Sequence, residues 1–291
     1  IAQIRSQAEH LLRLKLDLRV VALANSRKLL VETGGINLDT WKGQLDGSPQ
    51  QMHLDEFLDC IRKLNLPNSV FVDCSASAQL SERYREILAA SISIVTPNKK
   101  ANSGPLAAYR ELKQQAAKAN VKFFYETTVG AGLPVIGTLN DLILSGDEIS
   151  SIEAVLSGTL SFIFNSFSPG RSFSGIVREA DASGYMEPDP RDDLSGTDVG
   201  RKLLILAREM NLALEPEDIE VESLIPENCR ELGNREEFFA ALAGADEHFS
   251  ALRDSARANG RVLRYIGTIS GGRAKVSLQA VGADHPFYAL S

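Results

Sequence analysis

Along the first 133 residues, four short apolar runs alternate with segments of helical spacing, and this alternation constrains the fold more than any other feature of the chain. The runs are Leu18–Ala24, Val70–Cys74, Ser91–Val95 and Val121–Tyr125. Between them, residues 2–14 place Ile4, Leu11, Leu12 and Leu14 at helical positions, and Met52, Leu54, Phe57, Leu58, Ile61 and Leu64 form an amphipathic series. Residues 79–90 and about 105–119 read as two further helices, while Trp41 falls in a polar connection. Strands alternating with helices build βαβ units on a parallel sheet. Ligands of such sheets bind outside the carboxyl ends of the strands. The four exits here are Asn25-Ser26-Arg27, Ser75-Ala76-Ser77, Thr96-Pro97-Asn98-Lys99-Lys100 and the run Glu126 to Pro134. All are small, polar or cationic and suit a nucleotide lying across the strand ends. Any one of them alone would be an ordinary polar loop; the argument rests on all four falling at strand ends.

The first exit bears on the cofactor. An Asp or Glu at the end of the second strand of a dinucleotide fold holds a ribose 2′-OH and repels a 2′-phosphate. Asn25, Ser26 and Arg27 instead supply a hydroxyl and a cation, which favours NADPH over NADH, although Arg27 fits a solvated surface position equally well. The G-x-G-x-x-G that opens a dinucleotide fold is absent from the sequence. The chain begins inside what reads as the first helix, so the expectation is that the leading strand and glycine loop lie upstream of Ile1.

The pattern changes after a short helix, Pro134 to Leu144, with Gly146-Asp147 marking the change. A strand from Ile149 to Leu156, helices from Gly158 and over Phe173–Ala182, further helices near 236–242 and 246–259, and two closing strands joined through Ser270-Gly271-Gly272 read as an α+β domain with a mixed or antiparallel sheet. The expected organisation is α/β: a parallel-sheet nucleotide-binding domain over 1–133, and a substrate-binding and dimerisation domain over 134–291.

Within the second part lies the densest run of chemistry, Glu187 to Leu206. Two prolines stiffen Glu187-Pro188-Asp189-Pro190. Ser195 offers a helix N-cap with Asp198 three residues on, and a helix from about Gly196 to Met210 carries apolar residues around most of its circumference, as a buried helix does. Asp198 and Lys202, four apart, share one stripe of that helix. They form an ordinary i,i+4 pair, or they are a site. Clustered acids at Glu187, Asp189, Asp192 and Asp193, together with the apolar surround, favour a site, where a lysine exchanges a proton near neutrality.

Composition excludes some classes. A net charge of −7 leaves no basic excess for nucleic acid or an anionic membrane. No apolar run approaches the ~20 residues of a membrane span. Cys60, Cys74 and Cys229 are scattered, and the four histidines do not cluster, so a zinc centre, a disulfide framework or a Ser-His-Asp triad has little support. The reading is a reducing, cytoplasmic setting.

The runs VTPNKKAN (95–102), VGAGLPVI (129–136), LSGTLSFIF (156–164) and GYMEPDPRDDLSGTDVGRKLLILAR (184–208) together resemble homoserine dehydrogenase, above all the dehydrogenase half of bifunctional aspartokinase–homoserine dehydrogenases. The resemblance implies a Rossmann-like cofactor domain, a homo-oligomer, and NAD(P)H-dependent reduction of L-aspartate 4-semialdehyde to L-homoserine, on the way to threonine and methionine. It implies that Lys202 donates the proton, that Glu187 and Asp198 hold the substrate with a backbone contact from Gly184, and that Asp193 supports them. Lys100 is implied beside both nicotinamide and substrate, with Lys99 the less favoured neighbour, and Ser75 is implied to touch the cofactor. Glu126, Val129, Ala131 and Leu133 are implied to form a carbonyl site for Na⁺ or another monovalent cation. Other readings stay open: a different semialdehyde oxidoreductase, or a cofactor-free structural or regulatory module of the same fold.

Overall fold

The computed structural model describes residues 1–230 and 233–290; the expected domain end at Ser291 lies outside them. Contacts divide the chain into two units, residues 1–71, 82–94 and 115–122 in the first and residues 72–81, 95–114 and 123–291 in the second. This differs from a division at 133/134. Three of the four strand exits, at 75–77, 96–100 and 126–134, and the first part of the helix after Lys100 group with the second half of the chain, while Asn25-Ser26-Arg27 stays in the first unit.

In the first unit, residues 2–14 form two short helices rather than one, α1 (Ala2–Ser6) and α2 (Ala8–Arg13), neither with a buried residue. The first expected strand shortens to β1 (Ala22–Ala24) and pairs antiparallel with β2 (Leu29–Val31), a strand that sequence reasoning missed. Asn25-Ser26-Arg27 is therefore a hairpin turn rather than the exit of a parallel strand. The Asn25 side chain makes the turn: its Oδ1 accepts the Arg27 and Lys28 N–H groups, both at 2.8 Å. Trp41 is not in a connection; it begins α3 (Trp41–Asp46) and packs on a small core of Leu30, Ile36 and Leu45. Helix α4 (Leu54–Leu64) buries Phe57 and Leu58 and ends on Asn65 in the left-handed conformation.

The parallel sheet has three strands, ordered β3 (Val70–Val72), β4 (Ser93–Val95) and β5 (Phe123–Phe124). The unit division runs through β3 and β4, at 71/72 and 94/95. Ladder bonds from Ser93 N to Ser69 O (3.0 Å) and from Ile94 N to Lys122 O (2.8 Å) lie in the first unit. Those from Asp73 N to Val95 O (3.0 Å) and Thr96 N to Phe124 O (2.9 Å) lie in the second. Two helices, α5 (Ala78–Ser81) and α6 (Tyr84–Ala89), replace the single one expected over 79–90, and α7 (Leu106–Ala119) follows β4.

In the second unit, α8 (Val135–Leu144) leads to β6 (Ser151–Ala154), α9 (Gly158–Ser166), α10 (Phe173–Ala182) and the short α11 (Pro190–Leu194). Helix α12 (Thr197–Glu209) is the hub. Val199, Gly200 and Leu203 through Glu209 are all buried, as its all-round apolar wheel requires. It packs on a four-stranded mixed sheet ordered β6-β8-β9-β7, where β7 is Ile219–Val221, β8 is Val262–Ser270 and β9 is Arg273–Val281. β7, in a stretch that reads only as acidic, runs parallel to β9. β8 and β9 form the hairpin expected from Gly271-Gly272, both at positive φ. Helices α13 (Arg235–Leu242) and α14 (Asp246–Ala258) complete the unit.

Two charged residues at the C-terminal end of α12 are buried, Arg208 and Glu209. The Glu209 carboxylate accepts from the hydroxyls of Tyr109 (2.8 Å) and Tyr125 and from Asn140 Nδ2 (3.1 Å), and pairs with the Lys113 amine at 3.4 Å. Burial, with the neighbouring carboxylate, pushes both phenols above their ordinary range. Glu209→Leu would leave at least one of two buried hydroxyls without an acceptor and strip Asn140 and Lys113 of theirs, at about 1–3 kcal/mol for a buried donor, so a loss of about 3 kcal/mol in urea denaturation is expected. Glu209→Gln, which keeps an acceptor oxygen, should lose less. A loss below about 1 kcal/mol for the leucine variant would show that the tyrosines do not depend on this carboxylate.

Candidate active site

The candidate site, wholly in the second unit, is built where α12 begins. Ser195, expected as its N-cap, instead ends α11; the N-cap is Gly196 at φ +71°. A Cβ at Gly196 would lie 2.0 Å from the Tyr265 hydroxyl oxygen, so the turn requires glycine on grounds of both conformation and space. Two residues on, Asp198 stands in the first helical turn.

Asp198 and Lys202 do share a stripe, and their side chains meet: Lys202 Nζ lies 2.9 Å from Asp198 Oδ2. The other carboxylate oxygen, Oδ1, lies 3.0 Å from Lys99 Nζ. One carboxylate thus joins two ammonium groups. Lys202 also donates to the Leu156 carbonyl at 2.7 Å. That carbonyl is held just ahead of α9, whose start is capped by Ser157 Oγ accepting from Leu160 N. The Lys202 side chain is 18% exposed. Among the described residues it spends two of its three N–H donors on protein, on Asp198 and on Leu156 O.

Of the neighbouring lysines it is Lys99, not Lys100, that reaches this cluster. Lys100 is exposed, and its backbone N–H donates to Asn98 Oδ1 at 3.1 Å. The chain turns sharply here, with Asn102 N and Ser103 N both donating to Lys99 O, so successive side chains leave in different directions.

Burial alone would raise the Asp198 pKa and is the largest single influence, but the Lys202 and Lys99 amines together outweigh it and hold the carboxyl below the usual range. A carboxyl depressed in the folded state adds stability above its unfolded value, near ~3.9, and loses it as pH falls through the folded value. Asp198→Asn should therefore be less stable than the parent near neutrality, with the gap closing as pH falls below the unfolded value near ~3.9. With the Asp198 side chain 42% exposed, the gap should be about 1 kcal/mol or less. A gap that widens on acidification, in urea titrations at the two pH values, would contradict the pairing.

The acids upstream do not all gather on the lysine. Asp189 caps α11 and pairs with Arg191 at 2.7 Å, and Asp192 is exposed. Asp193 Oδ2 accepts the Glu187 backbone N–H at 2.8 Å, which fixes the chain that carries the exposed Glu187 side chain. Burial pushes the Asp193 carboxyl up, against the bonds from Glu187 N–H and the Thr159 hydroxyl. Thr159, at the start of α9, shares its one hydroxyl hydrogen between Asp193 and Tyr185 O, the latter at 2.6 Å, and ties down the segment after Gly184, itself exposed at φ +74°. Sequence reasoning missed Thr159, Leu156 O and the Arg208–Glu209 pair.

In the first unit, Asn25, Ser26 and Arg27 line an open cleft of about 710 Å³ with Lys28, Asp46 and His53. A hydroxyl and two cations there are chemically suited to a phosphate. Ser75 is exposed and its N–H donates to Asp73 Oδ1 at 2.7 Å. The Glu126 carboxylate holds the start of α8, accepting Ile136 N (2.7 Å) and Gly137 N (2.8 Å), and its main-chain carbonyl accepts Val129 N at 3.3 Å. Val129 is buried, Ala131 and Leu133 are exposed, and the loop turns through Gly130 (φ +75°) and Ala131 (φ +52°). Among the described residues no group of three or more His, Cys, Asp or Glu is placed to hold a metal ion, and no helix is long and apolar enough to cross a membrane.

With this geometry in hand, comparison with known proteins is informative. Residues 134–291 match the family described as homoserine dehydrogenase, and residues 1–126 match the homoserine dehydrogenase NAD binding domain. The chain is 45% identical over 99% of its length to a bifunctional aspartokinase/homoserine dehydrogenase of Haemophilus influenzae, of which it covers 35%. It is 41% identical over 87% of its length to a homoserine dehydrogenase of Schizosaccharomyces pombe, of which it covers 69%. A crystal structure of a Candida auris protein of unknown function superposes with a TM-score of 0.88 at 36% identity, over 95% of this chain and 79% of that one. The chain spans about a third of the length of the bifunctional relatives it matches.

Proposed function

This chain belongs to the homoserine dehydrogenase family, and on that premise we propose that it reduces L-aspartate 4-semialdehyde to L-homoserine with NADPH. The observation that carries the reading is the Asp198 carboxylate shared by Lys202 and Lys99, with Lys202 also donating to Leu156 O. When bound, the nicotinamide cofactor supplies the hydride that adds to the aldehyde carbon. Lys202 points its third N–H at the carbonyl oxygen and passes it a proton as negative charge develops there. Lys99, a second cation on the same carboxylate, adds electrostatic stabilisation at that oxygen and takes the place that the sequence resemblance gave to Lys100. Asp198 orients both amines. Glu187, on the strut made by Asp193, receives the substrate ammonium, and the backbone near Gly184 closes the amino-acid end.

The Ser26 hydroxyl and the Arg27 and Lys28 cations at the first-unit cleft support a cofactor bearing a 2′-phosphate. Family boundaries at 126 and 134 support a cofactor-binding part over 1–133 and a substrate part over 134–291. The main-chain carbonyls of Glu126, Val129, Ala131 and Leu133 are our assignment for a structural monovalent cation.

The test is oxidation of L-homoserine by the full-length protein with NADP⁺ and NAD⁺ in turn. Turnover with both is expected, with kcat/KM at least about tenfold higher for NADP⁺, the factor carried by one good charge-assisted contact. No turnover with either coenzyme would sink the reading.

A further inference from the structure

We propose that Arg208 is a positioning residue for Lys99: its buried guanidinium holds the Lys99–Ser103 turn in the register that lets the Lys99 amine reach Asp198. The proposal rests on the assignment of Lys99, Asp198 and Lys202 to the reaction.

The turn is gripped at each end. Upstream, Asn98 Nδ2 donates to Ser77 O (2.9 Å) and Asp73 Oδ2 (3.2 Å), and Asn98 N donates to Thr96 Oγ1 (2.9 Å). Within the turn, Lys99 O accepts Asn102 N (3.0 Å), Ser103 N (2.9 Å) and Ser103 Oγ (2.9 Å). Downstream, Asn102 O accepts Arg208 Nη1 at 2.7 Å. The same guanidinium donates through Nε and Nη2 to Leu214 O, at 3.2 and 3.0 Å, and lies 3.6 Å from Glu215. Asp198 and Arg208 sit on one helix, ten residues or about 15 Å apart. α12 therefore holds the turn twice, by a side chain at Asp198 and by the backbone at Arg208.

Stability alone is a poor reason for this arginine. Its side chain is 0% exposed, while its carboxylate partner Glu215 is 47% exposed. The ion pair itself is weak evidence for stability, since the cost of desolvating a buried guanidinium offsets much of what a half-exposed carboxylate returns. What an apolar residue cannot do is fix two carbonyls with one planar fork. The turn is held against a further cost: the Asn102 side chain is 0% exposed, and among the described residues neither its Oδ1 nor its Nδ2 has a partner. Its backbone, not its amide, is what the contacts use.

The test measures kcat, KM for each substrate and thermal stability on the full-length enzyme carrying Arg208→Lys, Ser103→Ala and Lys99→Ala, singly and with each of the first two combined with the third. Arg208→Lys is expected to lower kcat by about 10- to 100-fold, the range a misplacement near 1 Å produces, with KM for the coenzyme unchanged. Ser103→Ala, which removes one bond to Lys99 O and should fold normally, is expected to lower kcat by about threefold. Neither should lower kcat further once Lys99 is alanine, because residues acting as a unit are not additive. Losses that multiply with Lys99→Ala, or a lowered melting temperature with kcat unchanged, would overturn the proposal and leave Arg208 a packing residue. If Lys99→Ala itself turns over normally, the site assignment falls, and this proposal with it. If Arg208→Lys does not fold, Arg208→Gln, which keeps an amide donor for a carbonyl, takes its place in the same cycle, and losses that multiply with Lys99→Ala would again overturn the proposal.

Discussion

Alanine at Lys202 is expected to lower kcat by about 10³-fold or more while the folded protein and coenzyme binding survive. Loss of a positioned proton donor accounts for about 10²–10⁴, and loss of a cation facing the developing alkoxide adds to it. Folding should change little. Lys99 still holds the other oxygen of Asp198, that carboxylate is 42% exposed, and the Leu156 carbonyl loses one bond in a place that a small residue opens to water. NADPH binding, followed by fluorescence, should be unaltered. Lys202→Arg separates the two roles: it keeps the positive charge but does not release a proton near neutrality. An arginine variant within about tenfold of the parent would show that charge alone suffices, and an alanine variant with normal turnover would remove the catalytic assignment.

Gly196→Ala is expected to be the most damaging small substitution in the second unit. At φ +71° an alanine is strained by about 1–2 kcal/mol before any contact is considered. Its Cβ would stand 2.0 Å from the Tyr265 hydroxyl oxygen and 3.0 Å from Val221 Cγ1, so either β7 and β8 or the start of α12 has to move. Tyr265 cannot swing away freely, because its hydroxyl donates to Glu222 O at 2.6 Å and its ring is buried in the main core. With overpacking at about 1–3 kcal/mol, a total loss of about 3–4 kcal/mol is expected in urea denaturation. Because Asp198 lies two residues on, activity per folded molecule should fall as well. An alanine variant within about 1 kcal/mol of the parent would mean that the turn has another conformation open to it.

Much of the scaffold is legible in local sequence. Val199 and Leu203 to Ala207 cover the wheel of α12, so its burial follows from periodicity alone. The Gly271-Gly272 hairpin follows from residues that tolerate positive φ. The pairing of Asp198 with Lys202 follows from a spacing of four. Expectations failed where a group met a partner that propensity and spacing do not show. Ala22–Ala24 looks like a βαβ strand until Leu29–Val31 folds back on it. Ser195 looks like an N-cap until Asp189 starts a separate short helix and leaves Gly196 to begin α12. Asp189 looks like one of a cluster of acids around a lysine until Arg191, two residues away, takes it. In each case a nearby competitor satisfied the group first.

Periodicity, spacing and turn chemistry act over a few residues, and from them alone the sequence determined the α/β alternation, the buried central helix, its Asp198–Lys202 stripe and the family resemblance carried by the run to Arg208. The tertiary structure alone decided that the Lys99 amine pairs with Asp198, and that Arg208 and Glu209 are drawn into the interior instead of ending a helix in solvent. Both outcomes depend on segments about 100 residues apart meeting at one helix, and chain entropy gives such distant pairings no local signature until the core has closed around them.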